Sequence, residues 1–264
     1  IKGRTIGKIF SLPLLNRIFN SQLNITENYI DLYLRNRAIV YQNDKNVLDL
    51  LKKFKFENTV NFGCLSSFKV LDKSYSCLYL DMADRINKLS EIFNFNNISS
   101  FFEIGGGFGA NIHFLVSNFP NIKKILYLDV VPNIYVGTEY LKSFYKERVK
   151  DYSDLKDLKK ISFSNNDDLE ILCIPPWLIE NVEVDIDHFH NAASFVEMPK
   201  RIIENYVKFI RKFKTKEISL ISYENFDPKT TFYPEELNTF FNNELNMSWK
   251  KTLINDYNKR LIYL

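Results

Sequence analysis

The stretch FFEIGGGFGAN, from Phe101 to Asn111, constrains the fold of this 264-residue chain more than any other feature. Four of the chain's eight glycines fall within five positions here, directly after an apolar run. A strand that turns at once into a helix must reverse within a few residues, which favours glycine because glycine readily adopts positive φ. A missing Cβ also lets a ligand lie against the N–H groups at the start of the helix. The stretch therefore predicts a strand, a ligand-binding turn and a helix.

Strand and helix patterns alternate from Ser99 onward. Short apolar runs that indicate buried strands are followed by apolar residues at spacings of three and four, which indicate helices. The predicted strands are SFFEIG, KILYLDVV, LEILCIPP, VDIDHFHNAA and EISLISYEN, and the helices after the first, second, fourth and fifth cover about 109–118, 134–149, 199–213 and 234–245. Because parallel strands need crossover connections, this order predicts a doubly wound, mostly parallel sheet.

Other segments complete the predicted architecture. SWKKTLI and KRLIYL, separated by NDYN, predict a closing hairpin, which brings the sheet to seven strands with one antiparallel. KISFS, in the polar stretch 150–170, predicts a weak strand. Residues 1–98 have mostly helical and irregular patterns. We therefore predict an α/β fold in which an N-terminal helical extension (1–98) precedes a Rossmann-like domain (99–264).

Composition limits the class of function. The 35 Lys and Arg residues nearly balance the 32 Asp and Glu residues, and a net charge of +3 argues against nucleic acid as a partner. Cys64, Cys77 and Cys173 lack metal-binding spacing and predict reduced thiols in a cytoplasmic protein. We expect neither a signal peptide nor a membrane span, since no apolar run approaches the ~20 residues that a span needs. Because the chain begins with Ile, we leave open whether it is a fragment of a longer protein. The sequence does not predict its oligomeric state.

An acidic residue follows the second predicted strand at the distance that a nucleoside-binding loop requires. Such loops are followed about 20 residues later by an acid that holds the ribose hydroxyls. Gly109 and Asp129 are 20 residues apart, and LYLD puts Asp129 at a strand end. The strand, loop, helix and acid together indicate a cofactor site rather than a turn with only a structural role.

Two cofactors fit this loop. Gly105, Gly107 and Ala110 satisfy the dinucleotide pattern G-x-G-x-x-G/A. Glu103 through Gly109 also satisfies E-x-G-x-G-x-G, the loop of S-adenosylmethionine-dependent methyltransferases. A carboxylate repels the pyrophosphate of NAD but attracts the ammonium and sulfonium of S-adenosylmethionine. Glu103 therefore favours S-adenosylmethionine, and an NAD(P)-dependent oxidoreductase is the alternative.

Four motifs follow one another over about residues 99–225: FFEIGGGFGANI, LDVVPNIYVGTEYL, IPPWLIE and HNAASFVEM. In their order and spacing the sequence resembles the bacterial sugar O-methyltransferase family of class I S-adenosylmethionine-dependent methyltransferases. The runs Asp129–Asn133 and Ser194–Met198 are the most specific parts. The resemblance implies a class I fold, S-adenosylmethionine as cofactor with S-adenosylhomocysteine as product, and methyl transfer to a hydroxyl of a sugar or glycan precursor. DHFHNAAS departs from the family, where a more apolar strand is expected.

The carboxyl ends of the predicted strands are where a ligand and its chemistry should lie. His190 is the first candidate for the general base that a sugar hydroxyl needs, because it lies near the end of strand four. Glu197 is the rival candidate, with helix capping as its structural alternative. Asn191 is expected to orient the acceptor or to contact the cofactor. The predicted cofactor-binding residues are Glu103, Gly105, Gly106, Gly107, Gly109 and Asp129, with Ile174 and Pro175 beside the adenine.

A divalent metal is open but not favoured. Asp185, Asp187, His190, Glu197 and Asp227 carry hard ligand atoms, yet no spacing among them demands a metal. Asp185 and Asp187 also lie toward the wrong end of strand four. Three hypotheses follow: a methyltransferase acting on a small-molecule or glycan acceptor, an NAD(P)-dependent oxidoreductase, and a non-catalytic methyltransferase-like binding protein. In the first, the N-terminal region would cover the cofactor and help to form the acceptor pocket.

Overall fold

The structure, a computed structural model, describes residues 45–56, 67–70, 73–223, 251–255 and 260–263. The chain divides into two compact units, Ile1–Asp81 and Met82–Leu264. Within the described ranges, no helix is both long enough and apolar enough to cross a membrane. The predicted role of residues 1–98 in covering the cofactor stays a prediction.

The described part of the first unit combines one helix with one hairpin. Helix α1 (Lys45–Lys53) buries Val47 and Leu50, which are three positions apart on one face. Strands β1 (Ser67–Val70) and β2 (Lys73–Ser76) pair antiparallel. Helix α2 (Cys77–Leu89) begins directly after β2, and the boundary between the two units falls within it.

The second unit is built on an eight-stranded sheet. Its strands are β3 (Ser100–Ile104), β4 (Lys124–Leu128), β5 (Val149–Lys150), β6 (Glu170–Ile174), β7 (His188–Ala192), β8 (Glu217–Tyr223), β9 (Lys251–Asn255) and β10 (Arg260–Tyr263). Their order is β5-β6-β4-β3-β7-β8-β10-β9, and β10 is antiparallel to both neighbours while the other pairs are parallel. The predicted doubly wound, mostly parallel sheet with one antiparallel strand is confirmed: the five predicted parallel strands and the closing hairpin are present, and the edge strand β5 raises the total from the predicted seven strands to eight.

The helices of this unit are α3 (Ala110–Asn118), α4 (Asn133–Tyr145), α5 (Tyr152–Leu155) and α6 (Lys200–Lys212). Helix α4 ends before residue 149, where its prediction ended, because Val149–Lys150 forms the edge strand β5. The prediction of a strand at KISFS is wrong, since Ile161 forms only an isolated bridge to Val182. Here the N–H and hydroxyl of Ser164 donate to the Glu170 carboxylate, at 2.7 and 3.1 Å, instead of to a neighbouring strand. The predicted helix at 234–245 lies outside the described residues.

The central strands are buried on both faces, as parallel strands between helical layers should be. One face carries Phe102 and Leu126 into a core completed by α6. The apolar residues that α6 buries there recur at helical spacing: Ile203, Tyr206, Val207 and Ile210. On the opposite face, the register pairs Glu103 of β3 with Tyr127 of β4 and His190 of β7. Glu103 and Tyr127 lie one position before the ends of their strands, and His190 lies two positions before the end of β7, near the carboxyl edge of the sheet.

Candidate functional site

A cavity of about 420 Å³ opens at the carboxyl ends of β3, β4 and β7. Its lining comes from four parts of the chain: 104–105, 128–133, 192–198 and Tyr206. The chain order of the strands reverses at β3, between β4 and β7, and ligands of open α/β sheets bind at such a point. The volume lies within the roughly 300–1,000 Å³ of typical ligand sites. We call this the switch-point cavity.

The glycine loop borders this cavity at Gly105, and two of its glycines have different tasks. Gly105 has φ +76°, and a Cβ there would lie 2.3 Å from the Ser194 hydroxyl oxygen. Its missing side chain therefore allows the end of β3 to approach the loop after β7. Gly107 has φ +63°, and a Cβ there would meet nothing within 4 Å. The backbone is thus open to a ligand at Gly107, between Gly106 and the α3 N-cap Gly109.

Asp129 lies directly after β4, as predicted, and lines the switch-point cavity. Its Oδ2 accepts a hydrogen bond from the Gly107 N–H at 2.8 Å, and its Oδ1 accepts one from the Val130 N–H at 2.7 Å. Burial raises the pKa of Asp129, and hydrogen bonds from Val130, Gly107 and Asn133 oppose the rise. A carboxylate has about four acceptor positions, so Asp129 retains capacity to accept a hydrogen bond from a ribose hydroxyl.

Glu103 lies beneath the glycine loop and is 2% exposed. Its Oε1 accepts a hydrogen bond from the Asn111 amide at 2.8 Å, while its buried Oε2 has no hydrogen-bond partner among the described residues. Burial raises the pKa of Glu103 to about 7, although Asn111 and Arg85 act in the opposite direction. An unpaired buried acceptor costs about 1–3 kcal/mol. Its chemistry therefore fits a cationic partner, as the ammonium of S-adenosylmethionine would be.

The histidines of β7 do not line the cavity. His190 is 2% exposed, its Nδ1 lies 2.7 Å from the Ser219 hydroxyl, and burial lowers its pKa well below the usual range. His188 shares the same hydroxyl through Nε2 at 2.8 Å and stacks on Phe101. These contacts are those of neutral interior side chains. The placement runs against the expectation that His190 meets the acceptor, because β7 continues for two residues beyond it.

Asn191 and Glu197 have opposite surroundings. The buried Asn191 amide donates to the Ile104 carbonyl at 2.8 Å and to the Ser194 hydroxyl at 2.5 Å, and accepts from the Phe195 N–H at 3.1 Å. It therefore fastens the loop after β7 to the end of β3, rather than facing a ligand as expected. Glu197 is exposed, ends a short 3-10 turn and lines the cavity. It has the access that a general base requires.

The other two predicted cofactor neighbours lie elsewhere. Ile174 is fully buried in the core, and Pro175 lines a separate cavity beside Trp177. Neither borders the switch-point cavity. Tyr206 and Met198 do, and sequence reasoning missed them. Tyr206 could have been identified from the sequence, because it places a hydroxyl group within the apolar stripe of α6.

The aspartates considered for a metal lie before β7, at the far end of that strand. Asp187 accepts hydrogen bonds from Ser99 and Ser100 and pairs with Lys216 at 2.7 Å. Asp185 pairs with Lys214 at 3.2 Å. Among the described residues, no group of three or more His, Cys, Asp or Glu side chains is arranged to hold a metal ion. Asp227 lies outside the described residues.

No protein-family model matches the chain, and no curated protein sequence matches it. Among solved structures, the mitomycin 7-O-methyltransferase MmcR is similar over 70% of this chain and 53% of its own, with 11% identity and a TM-score of 0.45. The bacterial CtHen1-C methyltransferase domain is similar over 68% and 95%, with 13% identity and a TM-score of 0.46. Human N-acetylserotonin methyltransferase is similar over 70% and 53%, with 11% identity and a TM-score of 0.43. This chain thus spans about half of the first and third, and likeness at this level assigns no activity to it.

Proposed function

We propose that the chain is an S-adenosylmethionine-dependent O-methyltransferase that transfers a methyl group to a hydroxyl of a sugar or glycan precursor. The observation that carries the proposal is the switch-point cavity, in which Asp129 accepts a hydrogen bond from the open backbone of Gly107. S-adenosylmethionine supplies an activated methyl group on a sulfonium. The Asp129 carboxylate would hold the ribose hydroxyls of that cofactor.

The charges around the loop favour this cofactor over NAD(P). Asp129 lines the cavity, and the unpaired Oε2 of Glu103 lies under the loop. No Lys, Arg or His is found among the described residues that line the cavity. A pyrophosphate would bring two negative charges to this surface without a cation to meet them, whereas an ammonium and a sulfonium would be attracted.

Glu197 is the residue that we assign as general base. A sugar hydroxyl is a poor nucleophile at neutral pH, and a positioned base typically contributes ~10²–10⁴-fold. Glu197 lines the cavity and is exposed, so it can accept the proton from an acceptor hydroxyl and pass it to solvent. The buried His190 lacks that access. The remaining catalysis would come from alignment of the acceptor oxygen with the methyl group.

A hydroxylated acceptor suits the lining of the cavity. Carboxylates come from Asp129 and Glu197 and hydroxyls from Ser194 and Tyr206, beside the apolar side chain of Met198. Carboxylate and hydroxyl oxygens accept hydrogen bonds from sugar hydroxyls, and apolar atoms can cover a C–H face of the ring. The sugar class itself rests on the family resemblance of the sequence.

Titration calorimetry with S-adenosylhomocysteine tests the cofactor. We expect binding by the wild type and about 10–100-fold weaker binding by Asp129→Asn, because a neutral amide replaces the ribose-binding carboxylate. Asp185→Asn is the matched control, since Asp185 is exposed at the opposite end of β7. Absence of binding by the wild type, or equal binding by Asp129→Asn, would contradict the proposal. Binding of NADH in its place would support the oxidoreductase alternative.

Transfer to a library of nucleotide sugars and glycans, detected as a gain in mass, tests the acceptor. A methylated sugar is the expected product. Methylation of only non-sugar hydroxyls would support the proposed methyl transfer and contradict the proposed sugar acceptor. Cofactor binding without transfer to any acceptor would favour the non-catalytic binding protein.

A further inference from the structure

A second cavity, of about 400 Å³, borders the segment that also walls the switch-point cavity. Val130 and Asn133 line the switch-point cavity, whereas Val131, Ile134 and Tyr135 line the second one. Its other walls come from residues 138–139, 151–153 and 173–177. We call it the aromatic cavity, because Tyr135, Tyr152 and Trp177 line it.

Three large aromatic side chains in this lining are exposed. Tyr135 is 68% exposed, Tyr152 46% and Trp177 59%. Tyr152 and Trp177 meet edge to face, with ring centroids 6.1 Å apart and planes at 79°. Rings set at such an angle present their negative π faces in different directions around one space, which is how aromatic cages hold cations. Exposed aromatic surface gathered at a cavity marks a binding site.

The ionic side chains of the lining are both acidic. They are Glu139 and Asp151, and no basic side chain is found among the described residues of the lining. Lys142 bonds to Asp151 and lies 3.9 Å from Glu139, so one ammonium faces two carboxylates. Burial opposes ionisation of Asp151, but hydrogen bonds from Lys142 and Ser153 outweigh it and lower its pKa to about 2. The rim therefore retains negative charge at neutral pH.

The two aliphatic hydroxyl groups of the lining already have partners within the chain. The Thr138 hydroxyl donates to the Ile134 carbonyl at 2.6 Å, and the Ser153 hydroxyl donates to Asp151 at 2.5 Å. Most of the remaining wall is apolar, from Val131 and Pro175 among others. A complementary ligand is thus one with an apolar body and a positive charge, rather than one with many hydrogen-bonding groups.

We propose that the aromatic cavity binds a small organic cation, an ammonium group on an apolar body, through cation–π contacts with Trp177, Tyr152 and Tyr135 and the negative charge of Glu139. Cation–π contacts are weaker where the ring is exposed to water. Because these three rings and Glu139 are partly exposed, we expect a dissociation constant of roughly millimolar order. The inference does not depend on the proposed methyl transfer.

The test compares choline with its uncharged isostere 3,3-dimethylbutanol, by titration calorimetry on the whole chain without added cofactor. The two probes have nearly the same shape, so a difference between them measures the charge. We expect choline to bind at least 10-fold more tightly. Equal affinities, or no binding of choline, would overturn the proposal.

Two variants place the binding in this cavity. Trp177→Leu should weaken choline binding at least 10-fold, and Glu139→Gln about 3–5-fold. Val136→Ala is the control, because Val136 is exposed on the same helix but does not line the cavity. Circular dichroism would check that the variants remain folded, which the exposure of Trp177 and Glu139 favours. Unchanged affinity in Trp177→Leu would locate the choline elsewhere and overturn the proposal.

Saturating S-adenosylhomocysteine separates this inference from the proposed function. We expect both ligands to bind together. Loss of choline binding in competition with S-adenosylhomocysteine would assign the aromatic cavity to the cofactor and overturn the inference. If S-adenosylhomocysteine does not bind at all while choline does, the proposed function fails and this inference stands.

Discussion

Strands β3 and β7 lie side by side in the sheet, yet their polar residues have opposite surroundings. On β7, His188 and His190 both lie within hydrogen-bonding distance of the Ser219 hydroxyl of β8. On β3, Glu103 keeps a buried oxygen without a partner among the described residues. Polar groups that are satisfied in the interior stabilise a fold, whereas an unsatisfied buried group requires a ligand or another explanation. The contrast favours a structural role for the two histidines and a role in ligand binding for Glu103.

The largest expected effect is that of replacing Glu197, the proposed general base. We expect Glu197→Gln to lower kcat by ~10²–10⁴-fold, because an amide cannot take the acceptor proton. Affinity for S-adenosylhomocysteine should stay unchanged. Steady-state rates on the methylated acceptor, combined with calorimetry, measure the two quantities separately.

His190→Gln is the matched variant on β7. We expect kcat within about threefold of the wild type and a free energy of unfolding about 1–3 kcal/mol lower, because a buried hydrogen-bonded ring is lost. Loss of turnover in folded His190→Gln, with Glu197→Gln still active, would make His190 the general base in place of Glu197 and contradict the structural role given to the histidines of β7.

The second effect distinguishes Gly105 from Gly107 by the free energy of unfolding that each substitution costs. Gly105→Ala should lower the free energy of unfolding by about 3–4 kcal/mol, because it combines positive φ with a Cβ that would lie 2.3 Å from the Ser194 hydroxyl. Gly107→Ala should lower it by only about 1–2 kcal/mol, since its Cβ would have open space and only the strain of positive φ remains. Urea unfolding of both variants measures the difference. Equal losses would mean that the close approach to Ser194 contributes nothing.

The third effect is a dependence of stability on pH. Burial raises the pKa of Glu103 from 4.5 to about 7, so the folded state holds this proton more tightly than the unfolded state. The stabilisation is present below pH 4.5 and is lost as pH rises to about 7. At about 1.4 kcal/mol for each pKa unit, the loss is at most about 3.5 kcal/mol. Glu103→Gln should remove this part of the decline in urea unfolding at pH 4.5–7.5, and parallel curves for the two proteins would contradict the raised pKa.

Sequence reasoning reached the sheet and the loop because both depend on local patterns. Strand and helix periods predicted the order of elements, and the spacing from Gly109 to Asp129 placed an acid at the cavity. Sequence reasoning did not predict the buried position of His190. Period-two alternation shows which residues share a face of a strand, but it does not show how far the strand continues past a residue. Tyr206 was missed for a related reason, since an apolar helical stripe does not show which of its members lies at the end of the core.

The amide of Asn191 also holds two parts of the candidate site at a fixed separation. Its three hydrogen bonds join the carbonyl that precedes Gly105 to the turn that carries Glu197. The separation between the glycine loop and Glu197 is therefore set inside the sheet, independently of whatever molecule enters from outside. In evolutionary terms, the outer walls could diverge to accept new ligands while the spacing on which the proposed reaction depends is inherited unchanged.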